Sequence, residues 1–300
     1  MEILFKELEK AGMEIARGEP LKGHTSFRIG GPVEAMLFPK GEEAFIQAVK
    51  TLKEAGCDPL LIGNGSNLLG ADGPISRVAV KTHDGVGAIR QIDDRTIYVS
   101  AGVLLSRAAV FARELGLSGL EFAHGIPGTL GGAVVMNAGA YGGEMAQVVG
   151  AVDVLDESTM DRQSLEAADL DFSYRHSRFS HTKDVVLGAK LTLLPGDPLD
   201  IQGRMEELAR RRRTSQPLDL PSGGSTFKRP KEGYAAALID GAGLKGYTVG
   251  GAQVSEKHAG FVVNLGEATC GDVLRLMDHV RERVFRQTGI LLEPEIQLIQ

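Results

Sequence analysis

The sequence predicts a protein of mixed class, α+β or α/β, with two or three domains. The first half of the chain alternates short apolar runs with amphipathic ones, which is typical of strands and helices that follow one another. The length of 300 residues allows roughly two or three domains with cores of their own. Glycine is the compositional outlier, with 39 residues against an expected share of about 7%. The glycines cluster in loops, which favours backbone that approaches a ligand closely.

The elements of the first half follow from hydrophobic spacing. The spacing predicts helices over residues 2–16, 42–55 and 104–115. Apolar runs predict strands over residues 33–38, 59–62, 78–80, 96–100 and 151–155. The strand at 59–62 leads directly into a glycine-rich turn at 63–67.

A composition break at residues 195–198, Pro-Gly-Asp-Pro, predicts a linker before the second half. Beyond it we expect a helix from Ile201 into the arginine run 210–213, a helix over 234–242, and strands over 246–254 and 260–264. The apolar face of residues 272–287 predicts a long helix that stops at Gly289. A final strand is predicted over 290–299.

Composition and charge exclude several classes of protein. No apolar run approaches the roughly 20 residues that a membrane-spanning helix needs, and the charged, amphipathic N-terminus does not resemble a secretory signal. Cys57 and Cys270 lie far apart, which fits a reducing cytoplasm and predicts no metal cluster. A net charge of −6 argues against a general nucleic-acid binder. We therefore expect a cytoplasmic protein with no metal, nucleic-acid or membrane partner.

Two glycine-rich loops in the first half are candidate ligand sites. Consecutive N–H groups of residues 63–67 can form a concave nest for phosphate oxygens, although Asn-Gly is equally typical of a plain hairpin turn. Residues 125–132 hold further glycines and lead into the small-residue stretch 133–142. Two such surfaces fit a large, flat ligand with a diphosphate, such as a flavin dinucleotide. Neither loop is the usual dinucleotide fingerprint, so binding would use a different fold.

The segment 223–230 is the strongest candidate for chemistry. Ser225 lies on a glycine-flexible backbone, and Lys228 and Arg229 follow it closely. A serine hydroxyl is a very weak acid, so it serves in acid–base work only where its alkoxide is stabilised. Nearby cations can do this and can also hold an anionic substrate. The alternative is a polar loop between two helices.

Seven motifs in order carry a resemblance to a known family. They are residues 25–31, 63–68, 125–132, 137–142, 174–179, 224–230 and 292–295. Together they resemble the UDP-N-acetylenolpyruvoylglucosamine reductase family of bacterial cell-wall synthesis, over nearly the whole chain from about residue 25 to residue 299.

The resemblance implies a fold and a reaction. The fold is α+β: a two-lobed FAD-binding domain of the vanillyl-alcohol-oxidase type, with lobes at 1–85 and 86–196, and an α+β substrate-binding domain at 199–300 whose C-terminal strand carries Glu295. NADPH reduces non-covalently bound FAD. The reduced flavin passes hydride to the double bond of UDP-N-acetylglucosamine enolpyruvate, and a serine supplies the proton that completes UDP-N-acetylmuramate.

The resemblance also assigns residues. Arg175, Ser225 and Glu295 match catalytic positions, with Ser225 as proton donor. Cofactor contacts are implied at Gly63, Asn64, Gly65, Ser66, Asn67, Leu68, Gly125, Pro127, Gly128, Thr129, Gly131, Gly132, Asn137 and Gly139. Substrate contacts are implied at Tyr141, Arg213, Lys228, Arg229, Lys245 and His258.

Alternatives remain for several of these residues. Taken alone, Arg175 is as well explained by a surface salt bridge, and Glu295 by an outward position on a strand. His258 and Tyr141 are also compatible with packing roles, and residues 210–212 with a solvated helix end.

The sequence departs from the family pattern in two places. Arg229 stands where many members have asparagine, and the chain resembles the shorter group, which lacks a loop that closes a tyrosine over the substrate. A flavin oxidase of the same superfamily and a non-catalytic nucleotide-sugar binding protein remain alternative functions.

Overall fold

A computed structural model describes residues 1–82 and 85–300. This part of the chain divides into two compact units. Unit one comprises Met1–Ala16, Met36–Asn64 and Val78–Arg211, and unit two comprises Arg17–Ala35, Gly65–Arg77 and Arg212–Gln300. Each unit is thus assembled from separate stretches of chain. The division into lobes at 1–85 and 86–196 and a domain at 199–300 stays a prediction.

The helices follow the amphipathic segments of the sequence. They are α1 (Glu2–Lys10), α2 (Glu42–Glu54), α3 (Leu105–Glu114), α4 (Leu130–Val135), α5 (Pro198–Ser215), α6 (Ala235–Gly241) and α7 (Cys270–Thr288). Among the described residues, no helix combines the length and the apolar character that crossing a membrane requires.

The strands are short and distributed over the whole chain. They are β1 (Glu14–Arg17), β2 (Val33–Phe38), β3 (Leu60–Ile62), β4 (Leu68–Gly70), β5 (Ile75–Lys81), β6 (Ile89–Gln91), β7 (Thr96–Ser100), β8 (Leu117–Ser118), β9 (Gly139–Ala140), β10 (Gly143–Glu144), β11 (Val149–Leu155), β12 (Arg162–Glu166), β13 (Val185–Thr192), β14 (Leu194–Pro195), β15 (Thr248–Val249), β16 (Ala252–Val254), β17 (Val262–Asn264) and β18 (Gln297–Ile299).

Unit one contains an antiparallel sheet with the strand order β12-β11-β13-β7-β6. Its apolar face packs with α3 and α4 around buried residues such as Val99, Leu105, Leu130 and Leu191. Burying each such side chain contributes about 1.5–3 kcal/mol. A second sheet has the order β1-β2-β5-β3, in which β3 runs parallel to β5 and Ile62 pairs with Lys81. The end of β3 is where the first glycine loop begins.

Unit two is organised around α7. The helix starts at a capping box, in which the Thr269 hydroxyl accepts from the Asp272 N–H and the Asp272 carboxylate accepts from the Thr269 N–H. It ends as predicted at Gly289, whose φ of 74° is left-handed. Its apolar face packs with the antiparallel sheet β15-β16-β17 and with Phe27 and Leu69. Strand β18 pairs in parallel with β4.

Three predicted elements were wrong in extent or kind. The helix at 2–16 ends at Lys10, because Gly12 with φ 87° turns the chain into β1. The strand at 246–254 is a hairpin of β15 and β16 that turns at Gly250, where φ is 55°. The strand at 290–299 is regular only from Gln297 onward and is preceded by an isolated bridge between Pro294 and Phe227, so Glu295 precedes the strand that was expected to carry it.

The predicted linker at 195–198 is ordered structure. Pro195 pairs in β14, and Pro198 begins α5. The Asp197 carboxylate accepts a hydrogen bond from the Leu199 N–H at 2.7 Å. An acidic cap followed by proline in the first turn starts a helix as readily as it marks a linker.

Candidate active site

In unit one the two glycine loops meet. The Asn64 side-chain amide donates to the Pro127 carbonyl at 2.8 Å, although the two residues lie 63 positions apart. A Cβ atom on Gly63 would lie 2.2 Å from the Thr129 Oγ1 atom, so only glycine allows this approach. Residues predicted to share one ligand therefore do lie side by side in this unit.

A buried lysine lies beneath the first loop. The Lys81 ammonium donates to the Gly63 carbonyl at 2.7 Å, and the residue is only 9% exposed. Because a trans peptide places its C=O and N–H on opposite sides, this bond directs the Asn64 N–H away from Lys81. The same ammonium adds positive charge under a loop suited to phosphate. Sequence analysis missed Lys81; its position at the end of an apolar strand is the signal that marks it.

The second loop leads into α4 and is pinned to the sheet of unit one. The N–H groups of Leu130 and Gly131 donate to the carbonyls of Val103 and Ala101 at 2.8 and 2.9 Å. Thr129 is buried, whereas Gly132 in the first turn is exposed. Gly128 accepts from the Leu105 N–H. The result is a fixed backbone surface with few side chains, which a diphosphate can approach closely.

The rest of the first loop belongs to unit two. A Cβ atom on Gly65, whose φ is 63°, would lie 2.0 Å from the His24 carbonyl oxygen. The Gly65 carbonyl accepts from the Ser26 N–H at 3.2 Å. The Asn67 amide donates to the Glu295 carbonyl at 3.0 Å, and the Asn67 carbonyl accepts from the Gln297 N–H at 2.9 Å. The end of this loop, from Ser66 to the start of β4 at Leu68, therefore runs beside the segment that holds Glu295.

Ser225 and Glu295 lie on adjacent backbone segments of unit two. The Glu295 N–H donates to the Thr226 carbonyl at 2.9 Å, and the Lys228 N–H donates to the Glu293 carbonyl at 2.8 Å. Ser225 itself is exposed, while Thr226 is buried and held by Gly260. A predicted proton donor is thus presented at the surface of a firmly held segment.

The two cations that follow Ser225 have partners within unit two. The Lys228 ammonium lies 3.7 Å from the Glu293 carboxylate. The Arg229 guanidinium lies 4.2 Å from the centre of the Tyr234 ring. Both interactions are at or near the surface, where they are weak and readily exchanged for other partners.

Arg175 occupies a strained turn in unit one. Ser173 and His176 exchange both backbone hydrogen bonds at 3.1 Å, which leaves Tyr174 and Arg175 at the tip. Arg175 has a φ of 54°, a left-handed conformation that costs a residue with a side chain about 1–3 kcal/mol. The Arg175 guanidinium donates to the Gly139 carbonyl at 3.3 Å. A strained arginine in a well-held turn is more typical of a functional position than of a casual surface residue.

Tyr141 also occupies a left-handed position. Strands β9 and β10 form a hairpin in which Tyr141 and Gly142 are the turn, with φ values of 53° and 87°. Two positive φ values are the mark of a type I′ turn, where asparagine and glycine are usual. The tyrosine is 39% exposed. The turn therefore presents an aromatic ring to solvent at a conformational cost, which argues against a packing role.

Asn137 is bonded to the protein itself, although the resemblance implied a cofactor contact at this residue. It is fully buried, and both ends of its amide bond to the backbone of unit one. Its carbonyl oxygen and its NH₂ group are therefore occupied by the protein itself.

The remaining predicted substrate residues lie in unit two. Lys245 pairs with Asp240 at 2.9 Å, and Arg213 is exposed at the end of α5. His258 packs edge-on against Phe261, and its Nδ1 atom accepts from the Gly260 N–H at 3.2 Å. Burial lowers the pKa of His258, and the charge of Lys245 lowers it further. These contacts favour a neutral, partly structural histidine.

Comparison with known proteins finds one family along the chain. A model described as UDP-N-acetylenolpyruvoylglucosamine reductase, C-terminal domain, matches residues 216–299, and one described as FAD binding domain matches residues 33–159. A reductase of that name from Caldanaerobacter subterraneus subsp. tengcongensis is 45% identical over 98% of this chain and 96% of its own. The one from Clostridioides difficile is 43% identical over 100% of this chain and 96% of its own.

Solved structures give the same result for the fold. The UDP-N-acetylenolpyruvylglucosamine reductase of Thermus caldophilus has a TM-score of 0.81 and 34% identity, and the match covers 96% of this chain and 100% of that one. An alkyldihydroxyacetonephosphate synthase, at 15% identity and a TM-score of 0.50, covers 65% of this chain and 40% of its own, and supports the fold alone. These matches confirm the predicted fold class.

Proposed function

The chain belongs to the UDP-N-acetylenolpyruvoylglucosamine reductase family, and on that premise we propose that it reduces UDP-N-acetylglucosamine enolpyruvate to UDP-N-acetylmuramate with NADPH. It is an FAD-dependent oxidoreductase of peptidoglycan precursor synthesis, and so serves cell-wall biogenesis, cell shape and division. The observation that carries the proposal is the identity of 45% to a reductase of that name over 98% of this chain.

The glycine loops would hold FAD. We place the diphosphate on the surface where Gly63 and Asn64 meet Pro127 and Thr129. Glycine at position 63 lets the two loops approach this closely, since a Cβ atom there would lie 2.2 Å from the Thr129 Oγ1 atom. Gly65 to Leu68, residues 125–132 and Gly139 contribute the remaining backbone. When bound, FAD accepts hydride from NADPH and delivers it to the carbon–carbon double bond of the enolpyruvyl group.

Arg175 acts on the substrate carboxylate, and Ser225 acts on a carbon of the double bond. Hydride addition sends electron density from the double bond toward the substrate carboxylate, and the Arg175 guanidinium stabilises that charge. The Ser225 Oγ–H then donates its proton to the second carbon of the double bond, which completes the lactyl ether. Glu295 assists by orienting Arg175 or by polarising the carboxylate. This assignment requires the three side chains to converge on the substrate.

The other contacts follow from the charge of the substrate. The UDP group is anionic, so Arg213, Lys228, Arg229 and Lys245 favour its binding. Tyr141 covers the substrate from its exposed turn, and His258 contributes a neutral ring. We assign the lobes to residues 1–85 and 86–196 and the substrate domain to 199–300. The two distant cysteines and the nucleotide substrates favour a cytoplasmic location.

Anaerobic spectroscopy of the purified protein tests the proposal. We expect a yellow protein whose flavin absorbance is bleached by NADPH and restored by UDP-N-acetylglucosamine enolpyruvate. A colourless protein that takes up no FAD on reconstitution would indicate a non-catalytic nucleotide-sugar binder. Oxygen consumption with an alcohol and without NADPH would indicate an oxidase. Either result contradicts the reductase assignment.

A further inference from the structure

Asn137 holds two loops of unit one together. Its Nδ2 group donates to the Ser173 carbonyl at 2.9 Å, and its Oδ1 atom accepts from the Ala146 N–H at 2.9 Å. The residue has no exposed surface. Its φ of 41° is one that asparagine tolerates better than most residues. An apolar side chain in its place would leave the Ala146 N–H without this acceptor and would remove one of the two hydrogen bonds that the Ser173 carbonyl accepts, the other coming from the His176 N–H.

Ser173 is the first residue of the turn that carries Arg175, and the turn is fastened twice more. The Ser177 hydroxyl donates to the Val135 carbonyl at 2.7 Å, and the Arg175 guanidinium donates to the Gly139 carbonyl at 3.3 Å. All three attachments reach the short segment 135–139, at and just beyond the end of α4. This segment therefore sets the position of the turn.

Helix α4 begins at the glycine loop. Thr129, the residue before the helix, lies against Gly63, and the Ala133 N–H donates to the Thr129 carbonyl at 2.9 Å. Within unit one, the short helix α4 thus begins at the proposed FAD surface. It ends at the segment whose hydrogen bonds hold the Arg175 turn.

The strain at Arg175 explains why these hydrogen bonds matter. A left-handed arginine persists only where its surroundings over-determine the backbone. The Asn137 bond fixes the peptide that enters the turn, the Ser177 bond fixes the residue after it, and neither side chain need touch substrate to do so.

We infer that Asn137 is a positioning residue for Arg175, acting through the Ser173 carbonyl, and not a contact to the cofactor. The inference rests on the proposed function, in which Arg175 stabilises the substrate carboxylate. It separates two steps of the reaction: substrate reduction depends on Asn137, and FAD binding and reduction by NADPH do not.

The substitution Asn137→Asp tests this with almost no change of shape. A carboxylate still accepts from the Ala146 N–H but cannot donate to the Ser173 carbonyl, whereas a protonated carboxyl can do both. The segments around residue 137 carry the charged or titratable side chains Glu144, Asp171, Tyr174, Arg175, His176 and Arg178. At pH 8 we expect reoxidation by the enolpyruvyl substrate to slow by about 10- to 100-fold, the range for a misplaced reacting group.

The pH dependence of the variant's rate distinguishes this positioning role from a general structural role, which would not change it. Burial raises the pKa of a carboxyl, so the rate of the variant relative to the native enzyme should recover as the pH falls through that pKa. Asn264→Asp is the matched control, because the Asn264 amide is also buried and bridges the Phe27 carbonyl and the Gly266 N–H in unit two. If this control shows the same acid-reversible loss in the substrate half-reaction, the inference is overturned.

A double-mutant cycle locates the effect. In an Arg175→Ala background, Asn137→Asp should slow substrate reoxidation little further, because the residue through which it acts is gone. Additive losses in the cycle would contradict the inference. Weaker FAD binding by Asn137→Asp, measured by fluorescence quenching, would instead identify a cofactor contact.

Ser177→Ala keeps the inference testable if Asn137→Asp does not fold. Loss of this hydroxyl should slow the substrate half-reaction and leave FAD binding and NADPH reduction intact, with no recovery at low pH. Equal slowing of both half-reactions would count against it. Failure of the proposed function is distinct, because the native enzyme itself would then not be reoxidised by the substrate.

Discussion

At the scale of single residues, the side chains proposed for the reaction are exposed or half-buried. The fully buried polar side chains hold the backbone in place. Ser225 and Tyr141 are exposed, and Glu295 and Arg175 are half-buried. Thr129, Lys81 and Asn137 are buried and bond to backbone groups or pack closely beside them. Buried polar side chains must be satisfied by the protein, so their partners are fixed before any ligand binds. The exposed set can exchange its partners for substrate.

Ser225→Ala should separate the half-reactions. Flavin reduction by NADPH should be nearly unchanged, because that step needs no proton from the serine. Reoxidation by the enolpyruvyl substrate should slow by about 10²- to 10⁴-fold, the usual range for a lost general acid. Stopped-flow absorbance of each step measures this. Ser225→Cys, which keeps a proton donor, should retain more activity, and equal loss in both steps would refute the assignment of Ser225.

Lys81→Met should weaken FAD binding. The change removes the ammonium that holds the Gly63 carbonyl and that adds positive charge beneath the loop, so the Kd for FAD should rise about tenfold, equivalent to about 1.4 kcal/mol of binding free energy. Titration of the apoprotein, followed by flavin fluorescence, measures the Kd. Lys40→Met makes the same change of charge at a side chain that is 81% exposed and should leave the Kd unaltered. An unaltered Kd in Lys81→Met would show that the lysine only fills space.

At the scale of elements, helices position the site through their ends. Helix α4 begins beside the glycine loop and ends at the hydrogen bonds that hold the Arg175 turn. Helix α7 is fixed at its start by Thr269 and by Asp72, whose carboxylate accepts from the N–H groups of Cys270 and Gly271. Both helices have their first N–H groups satisfied by named partners, which is what unpaired helix ends require.

Gly289→Ala tests the end of α7. The φ of 74° is left-handed and penalises any residue with a Cβ atom, so the free energy of unfolding should fall by about 1 kcal/mol. Gly271→Ala, in the first turn of the same helix, should leave stability unchanged or raise it, since alanine favours helix. Urea unfolding followed by circular dichroism compares the two. A stability loss of equal size in both variants would show that the left-handed φ is not the cause.

At the scale of the whole molecule, each unit draws its core from separate stretches of chain. In unit two, Phe27, Ile29 and Leu69 pack with α7 and are at most 3% exposed. Strand β18 pairs with β4, which precedes it by more than half the chain. The predicted substrate domain at 199–300 therefore contains only part of the core that it uses.

A fragment of residues 199–300 should not fold alone. It lacks Phe27, Ile29 and Leu69, and it lacks the partner of β18. Removing a large side chain from a core costs about 2–5 kcal/mol, so the loss of all three is comparable to the whole stability of a domain, about 5–15 kcal/mol. We expect poorly dispersed amide proton signals and no cooperative melting, with the full chain as the reference. A dispersed spectrum with a sharp transition would show that the predicted boundary is a folding boundary.

Local patterns alone were sufficient for much of the secondary structure. Strand β2 and strand β7 were predicted residue for residue, and α7 and its glycine stop were predicted from one apolar face. These features depend on neighbours in sequence, which periodicity records. The same logic failed at 290–299, where the chain makes only an isolated bridge to residue 227 before the regular strand begins at Gln297. It also failed at 2–16, where glycine conformation overrides helical spacing.

The ordered motifs also identified the family, the cofactors and the candidate residues from the sequence alone. The contact of Asn64 with Pro127, the pairing of Thr226 with Glu295, and the contacts of Lys81 and Asn137 were decided only by the tertiary structure. Each of these contacts joins residues that are far apart along the chain. Each depends on which peptide group the fold brings next to a given side chain. That choice is made by packing and by the need to satisfy buried polar groups, and no local pattern encodes it.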